Sequence, residues 1–294
     1  MALTFTKMHG CGNCYLYFNC FEQTIDDPAA LAVRLSDLHF GVGSDGIILI
    51  CPSEQADAKM RMFNADGSEG KMCGNGIRCV GKYLYDHGMT QGRTEITVET
   101  LSGIKTLQLT AKDGICTRVR VNMGAPILEP AQIPARFEDS PVVRVPLVIE
   151  EKLWRVTAVS MGNPHCVTFC NEDIDALDLE KIGTKFEHHP AFPERVNTEF
   201  VRVVGYNELK MRVWERGSGE TWACGTGACA AAVASVLCEL CDPSRPITVH
   251  LRGGDLTIEY APDGVYMTGG AEVIFEGTLP DLQREVKPRV RRIL

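Results

Sequence analysis

The chain has 294 residues, 45% hydrophobic and 23% charged, the balance of a globular protein with a sizeable core. A formal charge of −8 and a pI near 5.4 exclude the basic face of a nucleic-acid binder. No apolar run approaches the roughly 20 residues that cross a bilayer, and MALTFTKMHG lacks the order of an export signal. A cytosolic, membrane-free protein is expected, so its thirteen cysteines should stay reduced, mostly as small buried hydrophobes.

In chain order, the first feature is the CxxC spacing of Cys11 and Cys14, repeated later by Cys238 and Cys241. Neither has a second pair or a His pair at matching spacing, so ordinary thiols are expected and no metal site. Leu31–Phe40 reads as a helix and Ile47–Ile50 as a strand. Between them, Gly41 to Gly46 matches the dinucleotide fingerprint G-x-G-x-x-G. That motif needs a strand before it and a helix after it, and here the order is reversed. Lys59–Phe63 then reads as a strand, Cys73-Gly-Asn-Gly76 as a turn into the helix Ile77–Tyr85, and Glu95–Leu109 as strands. The order returns with Lys210–Trp214, Cys224-Gly-Thr-Gly227, the helix Ala228–Leu240 and the strands Ile247–Tyr260. Ala228–Ser235 is almost all small or apolar, so its helix should be buried on every side.

The return is an internal repeat. Lys59-Met-Arg-Met-Phe63 recurs as Lys210-Met-Arg-Val-Trp214, and Cys73-Gly-Asn-Gly76 as Cys224-Gly-Thr-Gly227, both at an offset of 151 (224 − 73). Ile96-Thr-Val98 recurs as Ile247-Thr-Val249 at the same offset, and Gly12-Asn13 recurs as Gly162-Asn163 at 150 (163 − 13). Two similar halves follow. The expected class is α/β, each half a β-barrel-like sheet around a central helix, with residues 1–124 and 275–294 in the first and 125–274 in the second.

Each repeated cysteine stands where a Gly-rich turn enters a helix. Helix-end amides attract negative charge and lower a thiol pKa from about 8.5 toward roughly 3.5–7.5. Two such ends across a cleft would set two thiols on opposite faces of one bound molecule. One, as thiolate, can remove a proton from carbon, and the other can deliver one to the opposite face. Amides aimed at a carboxylate can stabilise the intermediate charge. No cofactor is needed. A one-nucleophile hydrolase or transferase, with His165 as partner, leaves the second cysteine unexplained.

Asn64 to Glu69, Met72 to Gly76, Ser160 to His165, Glu215-Arg216-Gly217 and Ala223 to Ala228 closely resemble the diaminopimelate epimerase family, over nearly the whole chain. The resemblance implies interconversion of LL- and meso-diaminopimelate without pyridoxal phosphate, in lysine and peptidoglycan precursor synthesis. It implies Cys73 and Cys224 as acid/base thiols, tuned by His165 and Glu215. Gly74, Asn75, Gly225 and Thr226 would hold the reacting carboxylate. Asn13, Asn64, Asn163, Asn197, Glu215 and Arg216 would contact the rest of the small-molecule substrate, and the assembly would be a homodimer. Two positions depart from the family: Cys14 stands where Asp is usual, and no Gln occurs in Ser44-Asp45-Gly46. Alternatives are another two-cysteine amino-acid racemase on this scaffold, or a thiol redox or metal-binding protein built on Cys11 and Cys14.

Overall fold

The computed structural model describes residues 2–280. Segment 281–294, which holds most of the C-terminal return expected for the first half, lies outside the described residues. The chain begins with a hairpin, β1 (Leu3–Gly10) and β2 (Asn13–Asn19), followed by α1 (Pro28–Ser36) and β3 (Gly46–Cys51). Next come β4 (Ala58–Asn64), the short β5 (Glu69–Gly70) and α2 (Gly74–Asp86). Three strands close this half: β6 (Glu95–Thr100), β7 (Gly103–Lys112) and β8 (Ile115–Gly124). The plan then repeats with β9 (Val145–Ile149), β10 (Lys152–Ser160), β11 (Pro164–Phe169), α3 (Leu179–Glu187), β12 (Asn197–Gly205) and β13 (Glu208–Glu215). After β14 (Gly219–Thr221) and α4 (Gly225–Leu237) come β15 (Ile247–Leu251), β16 (Gly254–Ala261), β17 (Gly264–Gly269) and β18 (Glu272–Leu279).

The pairing obeys the repeat. β2 and β3 run parallel across the connection that holds α1, and β11 and β12 run parallel across the one that holds α3. β4 pairs parallel with β6 from Ala58 with Val98, and β13 pairs parallel with β15 from Glu208 with Thr248. The halves join where β8 pairs antiparallel with β17, and β18 returns to pair with β1. The fold is thus α/β in two pseudo-symmetric halves, each sheet wrapped on a central helix.

The two central helices solve one packing problem differently. α2 packs against β1, β2, β7 and β8 with Ile77, Cys79, Val80 and Leu84 buried. α4 is ringed by strands from β10 to β17, and every residue from Gly227 to Ser235 is buried. Only small side chains let strands approach a helix from all sides, which is why five alanines stand within Ala228–Ala234. The outer helices α1 and α3 cover separate clusters, the second built on edge-to-face contacts of Trp154, Phe186 and Phe200 at 5.3–5.9 Å.

The helix expected over Leu31–Phe40 starts earlier and stops sooner. Pro28 suits a first turn, and the Asp27 carboxylate caps it by accepting the Ala30 N–H at 3.0 Å. At the other end, Asp37 Oδ1 accepts from the backbone of His39 and Phe40, both at 2.7 Å, and turns the chain away. The helix expected over Ala228–Leu240 likewise begins at Gly225 and ends at Leu237.

Cys79 and Cys229 are fully buried and their thiols are pushed up to about 12 by burial, as expected of packing residues. Overpacking α4 should be costly. Ala231→Leu is expected to destabilise the protein by about 1–3 kcal/mol in urea unfolding. A loss below about 0.5 kcal/mol would show that the ring of strands has room to give.

Candidate active site

Cys73 is the N-cap of α2, with extended backbone (φ −126°, ψ 118°), and its Sγ accepts the Gly76 N–H at 3.3 Å. Cys224 caps α4 in the same way (φ −116°, ψ 110°), with the Gly227 N–H at 3.3 Å from its Sγ. The recurring glycines are steric necessities. A Cβ on Gly76 would lie 2.6 Å from Ile48 Cδ1, and one on Gly227 would lie 2.6 Å from Glu199 Oε1.

The two helix ends meet head to head. A Cβ on Gly74 would stand 3.7 Å from Gly225 Cα, and one on Gly225 would stand 3.4 Å from Asn75 Oδ1. Asn75 spans the junction, its Nδ2 donating to Ala223 O at 3.1 Å. Behind it, Arg78 is fully buried with no carboxylate partner among the described residues: Nη1 donates to Gly74 O at 3.1 Å and Asn75 Oδ1 at 3.0 Å, and Nε donates to Gly270 O at 3.2 Å. The first amides of each helix, those of Gly74, Asn75, Gly225 and Thr226, occupy positions without an intrahelical acceptor. Two helix ends, each capped by a cysteine, therefore meet at one place.

The expected lowering of the thiol pKa values is overturned. Burial pushes the Cys73 thiol above its usual range, against the opposing pull of the Gly76 and Asn75 amides. Cys224 is pushed up much further, first by burial and then by the charges of Glu215 and Glu199. The helix-end amides do act in the expected direction, but desolvation of the thiolates by burial outweighs them.

Around Cys73, Asn13 accepts from its Sγ at 3.2 Å and donates from Nδ2 to Asp45 Oδ2 at 2.8 Å. Asp45 Oδ2 also accepts the Cys14 N–H at 2.7 Å. A Cβ on Gly46, at φ +151°, would lie 2.0 Å from Phe63 O and 2.9 Å from the ring of Tyr15. Asn64 is engaged in its own turn, with Nδ2 donating to Ser68 Oγ at 2.9 Å.

Around Cys224, Thr226 Oγ1 lies 3.5 Å from the sulfur. Glu215 accepts the Thr221 hydroxyl at 2.5 Å, and burial raises its carboxyl pKa against the lowering effects of Thr221 and His165. His165 is fully buried, with Nδ1 at 2.7 Å from Glu199 Oε1 and Nε2 at 3.1 Å from Asn163 Oδ1. Asn197 Oδ1 accepts the Arg216 N–H at 2.8 Å while its Nδ2 donates to Pro164 O at 3.0 Å. The Arg216 guanidinium donates to Glu194 O at 3.0 Å, so it is held by a carbonyl and not by an acid.

Sequence reasoning missed Asp45, Arg78 and Glu199. For Glu199 there was a signal: it interrupts the apolar run of β12 at the position where the first half has Ile48 (199 − 48 = 151). Arg78, inside an amphipathic helix, gave none.

A family profile described as diaminopimelate epimerase matches residues 5–129 and 157–274, taking in both capped helix ends. The chain belongs to the diaminopimelate epimerase family. It is 57% identical over 277 residues to the diaminopimelate epimerase of Acetivibrio thermocellus, covering 94% of this chain and 98% of that one. To that of Agathobacter rectalis it is 54% identical over 286 residues, covering 94% and 99%. Among solved structures, a hydroxyproline epimerase from Agrobacterium vitis shares the fold with a TM-score of 0.69 at 15% identity, over 95% of this chain and 91% of that one. A methylitaconate-delta-isomerase shares it with a TM-score of 0.62 at 16% identity, over 95% of each chain.

Raised thiol pKa values have a direct consequence for this member of the diaminopimelate epimerase family. Alkylation of both cleft thiols in the free protein is expected to be slow at neutral pH and to climb through the alkaline range, because little thiolate forms earlier. Iodoacetamide rates resolved by peptide mapping test this, and a plateau below about pH 7.5 would mark low-pKa thiolates instead.

Proposed function

We propose that the protein is an isomerase interconverting LL- and meso-2,6-diaminopimelate by inversion at one Cα, in lysine and peptidoglycan precursor synthesis. The observation that carries this reading is the pair of cysteines capping two opposed helix ends. One cysteine, as thiolate, takes the Cα proton from one face. The electron pair moves into the carboxylate, and the other cysteine delivers its S–H proton to the opposite face. The amides of Gly74, Asn75, Gly225 and Thr226 hold that carboxylate as its charge grows, each well-placed donor contributing about 2.7–4 kcal/mol. This chemistry uses neither pyridoxal phosphate nor a metal.

The far end of the substrate is an ammonium beside a carboxylate. Asn13, Asn64, Asn163, Asn197, Glu215 and Arg216 are assigned to it, with Glu215 facing the ammonium and Arg216 turning from Glu194 O to the carboxylate. His165 and Glu215 act on the thiols through charge. Residues 1–124 with the described part of the return, 275–280, are assigned to one half and 125–274 to the other, the substrate lying between them. A cytoplasmic homodimer completes the reading, on the resemblance to the family.

Incubation with LL-diaminopimelate in D₂O, with no added cofactor and with chelator present, should give the meso isomer carrying deuterium at the inverted carbon. Cys73→Ala and Cys224→Ala are each expected to lower the rate by more than about 10³-fold in folded protein. Near-normal turnover in either variant would refute the two-thiol mechanism.

Arg216→Ala should leave the far carboxylate without its bidentate partner and cost at least about 2 kcal/mol in kcat/KM for diaminopimelate. Equal turnover of small monocarboxylic amino acids by the unmodified protein would contradict that assignment and favour a racemase of broader range.

A further inference from the structure

The pseudo-symmetry supplies a control for each residue of the site. Beneath the first turn of α2 lies Ile48 and beneath that of α4 lies Glu199, so close that neither Gly76 nor Gly227 can carry a Cβ. The two residues are repeat equivalents, 151 positions apart. An apolar side chain supports one thiol, and a carboxylate supports the other.

Glu199 and His165 are both fully inaccessible to solvent, and they pair through Oε1 and Nδ1 at 2.7 Å. The second oxygen, Glu199 Oε2, is buried with no hydrogen-bond partner among the described residues. A buried carboxylate with an unpaired oxygen is expensive, and a fold keeps one where its charge has a use. The titratable groups that feel it are His165 and Cys166 on β11, Glu215 on β13 and Cys224 on α4. At the equivalent place in the first half stands the apolar Ile48, and the group bonded to the Cys73 sulfur is the neutral amide of Asn13, so Glu199 has no charged counterpart beneath Cys73.

We propose that Glu199, oriented by His165 beneath the first turn of α4, is a positioning residue that keeps Cys224 protonated. It thereby makes Cys224 the proton donor and Cys73 the acceptor in the free enzyme. The proposal rests on the two-thiol reading above. In its terms, a proton passes from Cα to Cys73 Sγ while Cys224 gives its own to the opposite face. That leaves Cys73 as thiol and Cys224 as thiolate. Return to the resting form moves one proton from Cys73 to Cys224, through water or a turnover in reverse. Glu199 disfavours the second form because its charge lies beside the Cys224 thiolate. It thus sets the balance between the two enzyme forms without touching substrate.

The test compares the unmodified protein with Glu199→Gln, which keeps shape and an acceptor for His165 but removes the charge. Glu199→Ile, the residue type of the first half, is the second charge-free variant should the first not fold, and Glu199→Asp is the rescue. Iodoacetamide alkylation of Cys73 and Cys224 is followed separately across pH by peptide mapping. The Cys224 midpoint should fall by about one pH unit or more in the charge-free variants, return in Glu199→Asp, and leave Cys73 in place. The basic limb of kcat/KM, which reports the donor thiol, should move down with it. An unmoved Cys224 midpoint in a folded charge-free variant, or both thiols moving together as from general loosening, would overturn the proposal. Alkylation needs no turnover, so absence of Cα exchange in the unmodified protein would strike the two-thiol reading and leave the midpoints to judge Glu199.

Discussion

The constraint on which the site depends is the head-to-head meeting of two helix N-termini. Each end carries roughly half a positive charge, and placing two in contact is unfavourable unless something negative comes between or beside them. Arg78, buried behind the junction, adds a full positive charge. The protein tolerates this through the Asn75–Ala223 bridge and through a close-packed shell of strands. What the arrangement creates is a pair of helix-end amide sets directed at the junction beside the two N-cap cysteines. A carboxylate that gains negative charge during reaction is the species such a junction stabilises most.

Burial works against the thiolates. It raises both thiols even though each sulfur already accepts a helix-end amide. On the two-thiol reading proposed above, one of the two must nevertheless ionise to take a proton from carbon. A substrate ammonium entering the cleft brings positive charge where Glu215 has been raised by desolvation and Cys224 by both glutamates. Binding and ionisation are coupled on this reading, and a cleft closed without substrate keeps its thiols unreactive.

Symmetry makes the two faces of the reaction equivalent, and asymmetry makes them usable. The backbone equivalences run through Gly46 and Asn197, Asn64 and Glu215, and Tyr15 and His165. In each pair the second half carries the more polar or chargeable group. The first half therefore sets an amide, Asn13, on the Cys73 sulfur, and the second a set of buried carboxyl groups around Cys224. A duplicated barrel with identical halves would have two indistinguishable thiols and no preferred resting form.

Much of this was written in the chain. Two in-register Cys-Gly-X-Gly turns, two helices of fitting length and one of them built of alanine determined the two-half α/β plan and the placing of a cysteine at the N-cap of each central helix. Those features are local, because capping geometry, small-residue packing and turn chemistry act within a few residues of one another. Tertiary structure alone decided the rest. The fall or rise of a thiol pKa depends on how much water remains around the sulfur, and only the closed cleft, not the spacing, gives the sign. Asp45 reaches Asn13 across 32 residues, Glu199 reaches His165 across 34, and Arg78 reaches Gly270 across 192. Such partners are set by sheet register and by the approach of two separately wrapped helices, and no motif of either half records them.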